Sequence, residues 1–65
     1  MRIVFDIIKV LPYKTQPYKV SIYEDNIFTQ LLWMKASDLE RNVNLCEGRG
    51  DEAEIKKSYL EKDNG

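Results

Sequence analysis

Two stretches in which apolar and polar residues alternate open the chain, at residues 1–10 and 18–23. The apolar positions on one side of these stretches are Ile3, Phe5, Ile7, Tyr18, Val20 and Ile22. Such alternation is typical of β-strands that bury one face. The six residues that join the stretches begin and end with proline, at Pro12 and Pro17. The pattern therefore predicts an antiparallel β-hairpin.

The joining segment repeats the tripeptide Pro-Tyr-Lys, at residues 12–14 and 17–19. A proline-rich ligand presents its prolines from a helix of three residues per turn. Pro12 and Pro17 are five positions apart and cannot share one ridge of that helix. Proline also collects where strands end, because it lacks a ladder donor. The repeat is interpreted as a loop that exposes Tyr13 and Lys14.

Residues 27–45 allow two interpretations. In the first, one long helix follows a cap at Asp25 or Asn26, and its apolar stripe includes Leu32, Leu39 and Val43. In the second, residues 27–34 form a third strand of an antiparallel meander, and a helix begins at the capping-box motif of residues 37–40. A strand over 27–34 has apolar residues on both faces and needs cover on both sides, which so short a chain can barely provide. We therefore favour the long helix.

The C-terminal third predicts a short second helix. Gly48 is a helix stop, residues 48–50 form a turn, and Asp51 caps a helix over residues 51–62. Residues 63–65 are expected to fray. The fold class is α+β: a small β-hairpin, or a three-stranded antiparallel meander, packed against one long and one short helix in a single small domain over residues 1–62.

Composition removes several classes of function. The 65 residues include no histidine and one cysteine, Cys46, so a disulfide within the chain and a structural zinc site are both unexpected. Acid–base catalysis usually recruits histidine, and no glycine-rich phosphate loop follows a strand. Cys46 is expected to be a small apolar residue on the inner stripe of the helix. The sequence predicts a protein that is not an enzyme and needs no cofactor or metal.

Charge and hydropathy bear on partners and location. The net charge is −1, from ten basic and eleven acidic residues, without the dense basic field of a nucleic-acid-binding protein. No window is apolar enough to span a membrane, and no export signal is recognised. The lone thiol fits a reducing compartment. We expect a soluble cytoplasmic protein. The tripeptide Arg49-Gly50-Asp51, which matches an integrin-binding motif, is interpreted as a turn and a helix cap.

Aromatic residues are the remaining candidates for a binding surface. On the long-helix interpretation Trp33 lies at the edge of the core, within reach of a partner, and aromatic side chains often anchor protein interfaces. We expect a small protein-binding module, an inhibitor or adaptor that occupies the surface of a larger protein, by analogy with small phage and mobile-element proteins. The predicted contact residues are Tyr13, Lys14, Tyr18, Tyr23 and Trp33.

Two further expectations concern partners. In the alternative function, the hairpin binds nucleic acid through Arg2, Lys9, Lys14 and Lys19, with tyrosines for base stacking. A homodimer is also expected, because a two-stranded sheet leaves two open edges and the first strand has apolar residues on both faces.

The segment PYKVSIYEDNIFTQLLWMKASDLERNV, at residues 17–43, resembles the opening half of ubiquitin-like β-grasp proteins, and among them the ubiquitin-fold modifier family. The shared features are a proline-tyrosine-lysine-valine strand and a following helix that contains Phe28 and Thr29. The chain also ends in Gly65. The resemblance implies a hairpin followed directly by a helix, and a modifier-type role as a further alternative function. No strand is expected after Cys46.

Overall fold

The computed structural model describes residues 1–61, which form one mixed sheet with a helix on one side. The elements in chain order are β1 (Arg2–Val10), β2 (Tyr18–Glu24), β3 (Ile27–Met34), α1 (Ala36–Gly48), β4 (Glu52–Lys56) and a 3₁₀ turn at Ser58–Leu60. The order of strands across the sheet is β3-β2-β1-β4. The expected α+β class is confirmed, but the expected helices are not. The domain end at residue 62 and the frayed tail at 63–65 lie outside the described residues.

The hairpin of β1 and β2 is confirmed, and its alternating apolar residues face α1. Ile3, Phe5 and Ile7 of β1 are almost completely buried, together with Val20 of β2. The core is completed by Met34, Leu39 and Cys46. We call the sheet face that carries these residues the inner face and the opposite one the outer face.

The loop between β1 and β2 closes the hairpin, as predicted from its prolines. The Leu11 N–H donates to the Pro17 carbonyl at 2.8 Å, and the Lys14 N–H donates to the Leu11 carbonyl at 3.0 Å. These two bonds fold the loop back over the end of the sheet, while Tyr13 and Lys14 stay exposed.

The favoured long helix over residues 27–45 is wrong, because residues 27–34 form β3, antiparallel to β2. The apolar residues on both faces were taken to require cover on both sides. In the structure only the inner face of β3 is packed, by Leu32 and Met34, while Phe28 and Leu31 remain half-exposed on the outer face. The outer face of β3 is therefore apolar and exposed to solvent, whereas the sequence-based prediction assumed that an apolar face must be covered.

The turn between β2 and β3 consists of Asp25 and Asn26, which were predicted to cap a helix. Their φ angles are 51° and 71°, the left-handed values that a two-residue hairpin turn requires and that Asp and Asn tolerate. The Arg2 N–H also donates to Asp25 Oδ1 at 3.0 Å, which ties this turn to β1.

The helix begins at Ala36 after Lys35, and no side chain caps it, so the predicted capping box at residues 37–40 is not used. Its predicted end at Gly48 is confirmed.

The predicted helix over residues 51–62 is also wrong, because residues 52–56 form β4, parallel to β1. Ala53 and Ile55 alternate with charged residues and lie beside Ile3 and Phe5. This strand overturns the expectation that no strand follows Cys46. A third strand also separates the hairpin from the helix, whereas the resemblance to β-grasp proteins implied a hairpin followed directly by a helix.

Candidate protein-binding surface

No helix or strand of residues 1–61 packs over the outer face of the sheet, since α1 and the core lie on the inner face. The 3₁₀ turn reaches this face only at β1, where the Ser58 N–H donates to the buried Asp6 carboxylate at 3.4 Å. Successive side chains of a strand point to opposite faces of the sheet, so every second residue lies on the outer face. The side chains on this face are apolar, aromatic, basic, acidic or hydroxyl-bearing. Reading from β3 to β1, the outer-face residues are Phe28, Leu31, Trp33, Lys19, Ser21, Tyr23, Arg2, Val4, Asp6 and Lys9. The Cα atoms extend only 16 Å along the shortest axis of the molecule, as expected for one sheet with one layer of helix.

Trp33 lies on the outer face near the C-terminal end of β3. Its ring lies under two ammonium groups, with Lys14 Nζ 4.5 Å and Lys19 Nζ 5.9 Å from the ring centroid. Both distances fall in the range of a cation–π contact. Lys19 reaches Trp33 because the two residues are directly opposite on β2 and β3, and Lys14 reaches it from the hairpin loop.

A third lysine joins this end of the sheet through a β-bulge. The pairing of β1 with β2 slips by one residue at Ile8, which brings Lys9 directly opposite Lys19. Like charges in opposed positions of an antiparallel pair destabilise it. We call the group formed by Lys9, Lys14, Lys19, Trp33 and the neighbouring Tyr13 the basic corner.

The lysines of the basic corner have no ion-pair partner among residues 1–61. The ion pairs of this part of the chain use the N-terminal ammonium group and the arginines instead. The positive charge of the corner is therefore not offset by the protein itself.

Tyr13, Lys14 and Trp33 line one shallow depression of about 490 Å³, together with Thr15 and Gln16. Among the large hydrophobic side chains of residues 1–61, Tyr13 is the most exposed, at 81%. This depression places the aromatic rings of Tyr13 and Trp33 beside the ammonium group of Lys14.

The opposite end of the outer face is internally paired. A depression of about 400 Å³ lies between Arg2, Tyr23 and Glu54, among other residues. Arg2 Nη2 donates to Glu54 Oε1, and this hydrogen bond with its charge raises the pKa of Arg2 above its ordinary value. Tyr23 packs edge-to-face against Phe28, with ring centroids 5.8 Å apart. At this end the charges of Arg2 and Glu54 therefore offset each other.

The five predicted contact residues do not all lie on one surface. Tyr13, Lys14 and Trp33 come together in the basic corner, and Tyr23 lies on the same face toward the other end. Tyr18 does not belong to this surface, because it lies on the inner face and packs against the core.

Sequence reasoning missed the contributions of Phe28 and Leu31, which are 52% and 49% exposed on the outer face. The sequence does contain an indication of this surface, since apolar residues occupy both odd and even positions within residues 27–34 and so lie on both faces of a strand. Of the four residues proposed for nucleic acid, Lys9, Lys14 and Lys19 cluster, while Arg2 lies at the far, paired end.

Cysteine and acidic side chains are the remaining candidates for chemistry in the part of the chain that the structure describes. Cys46 is buried in the core, where Arg49 Nη2 donates to its sulfur at 3.5 Å. No group of three or more acidic, cysteine or histidine side chains that could hold a metal ion is found in residues 1–61. The Asp51 carboxylate, part of the Arg-Gly-Asp tripeptide, pairs with Arg49 at 3.2 Å and with the N-terminal ammonium group at 3.4 Å. That carboxylate is engaged within the fold.

Comparison with family models, curated proteins and solved structures finds no match to this chain. Over the described range, no helix has the length and apolar character needed to cross a bilayer. The outer face is therefore the feature of the molecule from which function is inferred.

Proposed function

We propose that this protein is a small, non-enzymatic protein-binding module that docks its basic corner onto an acidic surface of a larger protein, as an inhibitor or adaptor. The observation that carries the proposal is the juxtaposition of Lys9 and Lys19 in directly opposed positions beside Trp33, without an acidic partner among the described residues. A partner's carboxylates would offset the repulsion between these lysines and gain charge-assisted hydrogen bonds.

The aromatic side chains supply the apolar part of such an interface. Tyrosine and tryptophan combine large contact area with a polar group, and they are frequent anchors of protein–protein contacts. Tyr13 projects from the hairpin loop and Trp33 forms the floor beneath Lys14, so that one partner surface can touch both. The lysines then act mainly on the association rate and on the choice of partner.

The test is affinity capture from lysate of the source cells, with the full chain as bait, followed by a binding measurement with each captured protein. The charge-reversed variant Lys14→Glu and the truncated variant Tyr13→Ala should each reduce the capture of the same acidic partner by at least about tenfold, since each removes a contact at the centre of the interface. Arg41→Glu and Leu45→Ala are matched controls on exposed positions of α1 and should leave capture unchanged. A partner whose capture survives both corner variants, or is lost in the α1 controls, contradicts the proposal.

A second candidate function is binding of single-stranded nucleic acid, which the same clustering of three lysines around an aromatic ring favours. Bases stack on aromatic side chains while lysines contact phosphates. Salt separates the two functions, because phosphate contacts lose affinity steeply between about 50 and 200 mM salt. Capture of nucleic acid alone, abolished over that range and by Lys14→Glu, would favour this second function over the first.

A further inference from the structure

The two edges of the sheet differ in their protection against pairing with another chain. β4 is five residues long and carries Glu52, Glu54 and Lys56, and charged side chains are a common device for guarding an exposed edge. β3 is eight residues long and contains neither a charged residue nor a proline. Its outward N–H and C=O groups are left for a further strand, because β2 occupies only its other side.

The side chains of β3 on the outer face are complementary to a second copy of themselves. Phe28 and Trp33 lie on either side of Leu31 along the strand. In an antiparallel pair of two β3 strands related by a two-fold axis at Leu31, the two Leu31 side chains meet at the axis. The pairing of β3 with β2 skips Thr29, which puts Phe28 rather than Thr29 on the outer face. If that irregularity is kept in the dimer, Phe28 of each copy lies beside Trp33 of the other, and such cross-strand aromatic pairs stabilise antiparallel sheets.

We propose that two copies of this chain associate through β3 in an antiparallel, two-fold symmetric pair, so that two four-stranded sheets become one continuous sheet of eight strands. This interface is isologous and uses one patch of each copy. It goes beyond the proposed binding function, because its contacts run along the free edge of β3, whereas the lysines of the basic corner lie on β1, β2 and the loop between them. A dimer presents two basic corners at opposite ends of one sheet.

Sedimentation velocity from micromolar to millimolar concentration tests the proposal. The full chain should show a reversible monomer–dimer equilibrium. Leu31→Lys should raise the dissociation constant at least about tenfold, because it places two like charges opposite each other at the axis. Leu45→Lys, at an exposed position on α1, is the matched control and should leave the constant unchanged. Circular dichroism verifies that each variant is folded.

A chain that stays monomeric at millimolar concentration overturns the proposal, and so does a dimer that is unaffected by Leu31→Lys.

Discussion

Trp33 and the three lysines around it contribute little to the stability of the fold. A cation–π contact at an exposed site is worth about 0.5–1 kcal/mol. Lys14 and Lys19 each make one with Trp33. The opposed lysines Lys9 and Lys19 repel each other by a similar amount, since cross-strand pairs are worth roughly 0.2–1 kcal/mol in either direction. Two such contacts outweigh one such repulsion, so the corner stabilises the fold by only about 1 kcal/mol. The proposed role in binding gives its unpaired charges a use.

Substitutions of two glycines near the end of α1 can test the backbone conformation at single residues. Gly50 has a φ angle of +90°, whereas Gly48 closes the helix, and nothing lies within 4 Å of a Cβ atom added at either position. Any difference between their alanine variants therefore reports backbone conformation alone. Gly50→Ala should lower the free energy of unfolding by about 1–2 kcal/mol, because L-residues are strained at positive φ.

Gly48→Ala is the matched control and should leave stability unchanged or raise it by up to about 1 kcal/mol, because alanine is the better helix former. Urea denaturation of both variants makes the comparison. Equal effects of the two substitutions would contradict the assigned conformation at Gly50.

Among the elements, β1, β2 and their loop could be predicted from local pattern, because alternation and proline placement act within a few residues. The Asp25–Asn26 turn could also be predicted from the sequence, since these two residues tolerate positive φ and connect two β-rich segments. β3 was missed because an open apolar face does not alternate. β4 could not be predicted, since its five residues, three of them charged, become a strand only through parallel pairing with β1, which is distant in sequence.

The sequence predicted some residues of the candidate site, but not their arrangement in space. Tyr13, Lys14 and Trp33 were chosen by residue type, but their proximity depends on the register that sets Trp33 opposite Lys19. That register could not be inferred while residues 27–34 were interpreted as a helix. Tyr18 was misplaced for a simpler reason, because its alternation with Val20 already put it on the buried face of β2.

Backbone chemical shifts over Phe28–Met34 test the element that changed most between sequence and structure. The ¹³Cα and ¹³Cβ shifts should take strand values from Ile27 to Met34 and helix values from Ala36 to Gly48. Cross-strand contacts between the Lys19 and Trp33 backbones should accompany them. Helix values across residues 28–34 would remove β3, the basic corner and the dimer interface together.

At the scale of the whole described fold, residues 1–61, one helix covers one face of a four-stranded sheet, and the other face is open except where the 3₁₀ turn reaches Asp6. A domain of this size buries only about 60% of the surface of its unfolded chain, so it has few apolar residues to spare. Phe28, Leu31 and Trp33 nevertheless lie on the open face rather than in the core. Apolar surface kept outside a small core is typical of interaction sites. The proposed dimer would use this surface at the edge of β3, and the proposed partner would use it at the basic corner.

The central claim is that the partner binds at the basic corner, and Trp33 reports on it directly because the chain contains one tryptophan. Protein labelled with 5-fluorotryptophan should give one ¹⁹F resonance at a fixed, low concentration of chain. Adding the captured partner should shift or broaden that resonance in proportion to the fraction bound, and the Leu45→Ala control should respond in the same way. A partner that binds by calorimetry while the Trp33 resonance stays unchanged would contradict the account.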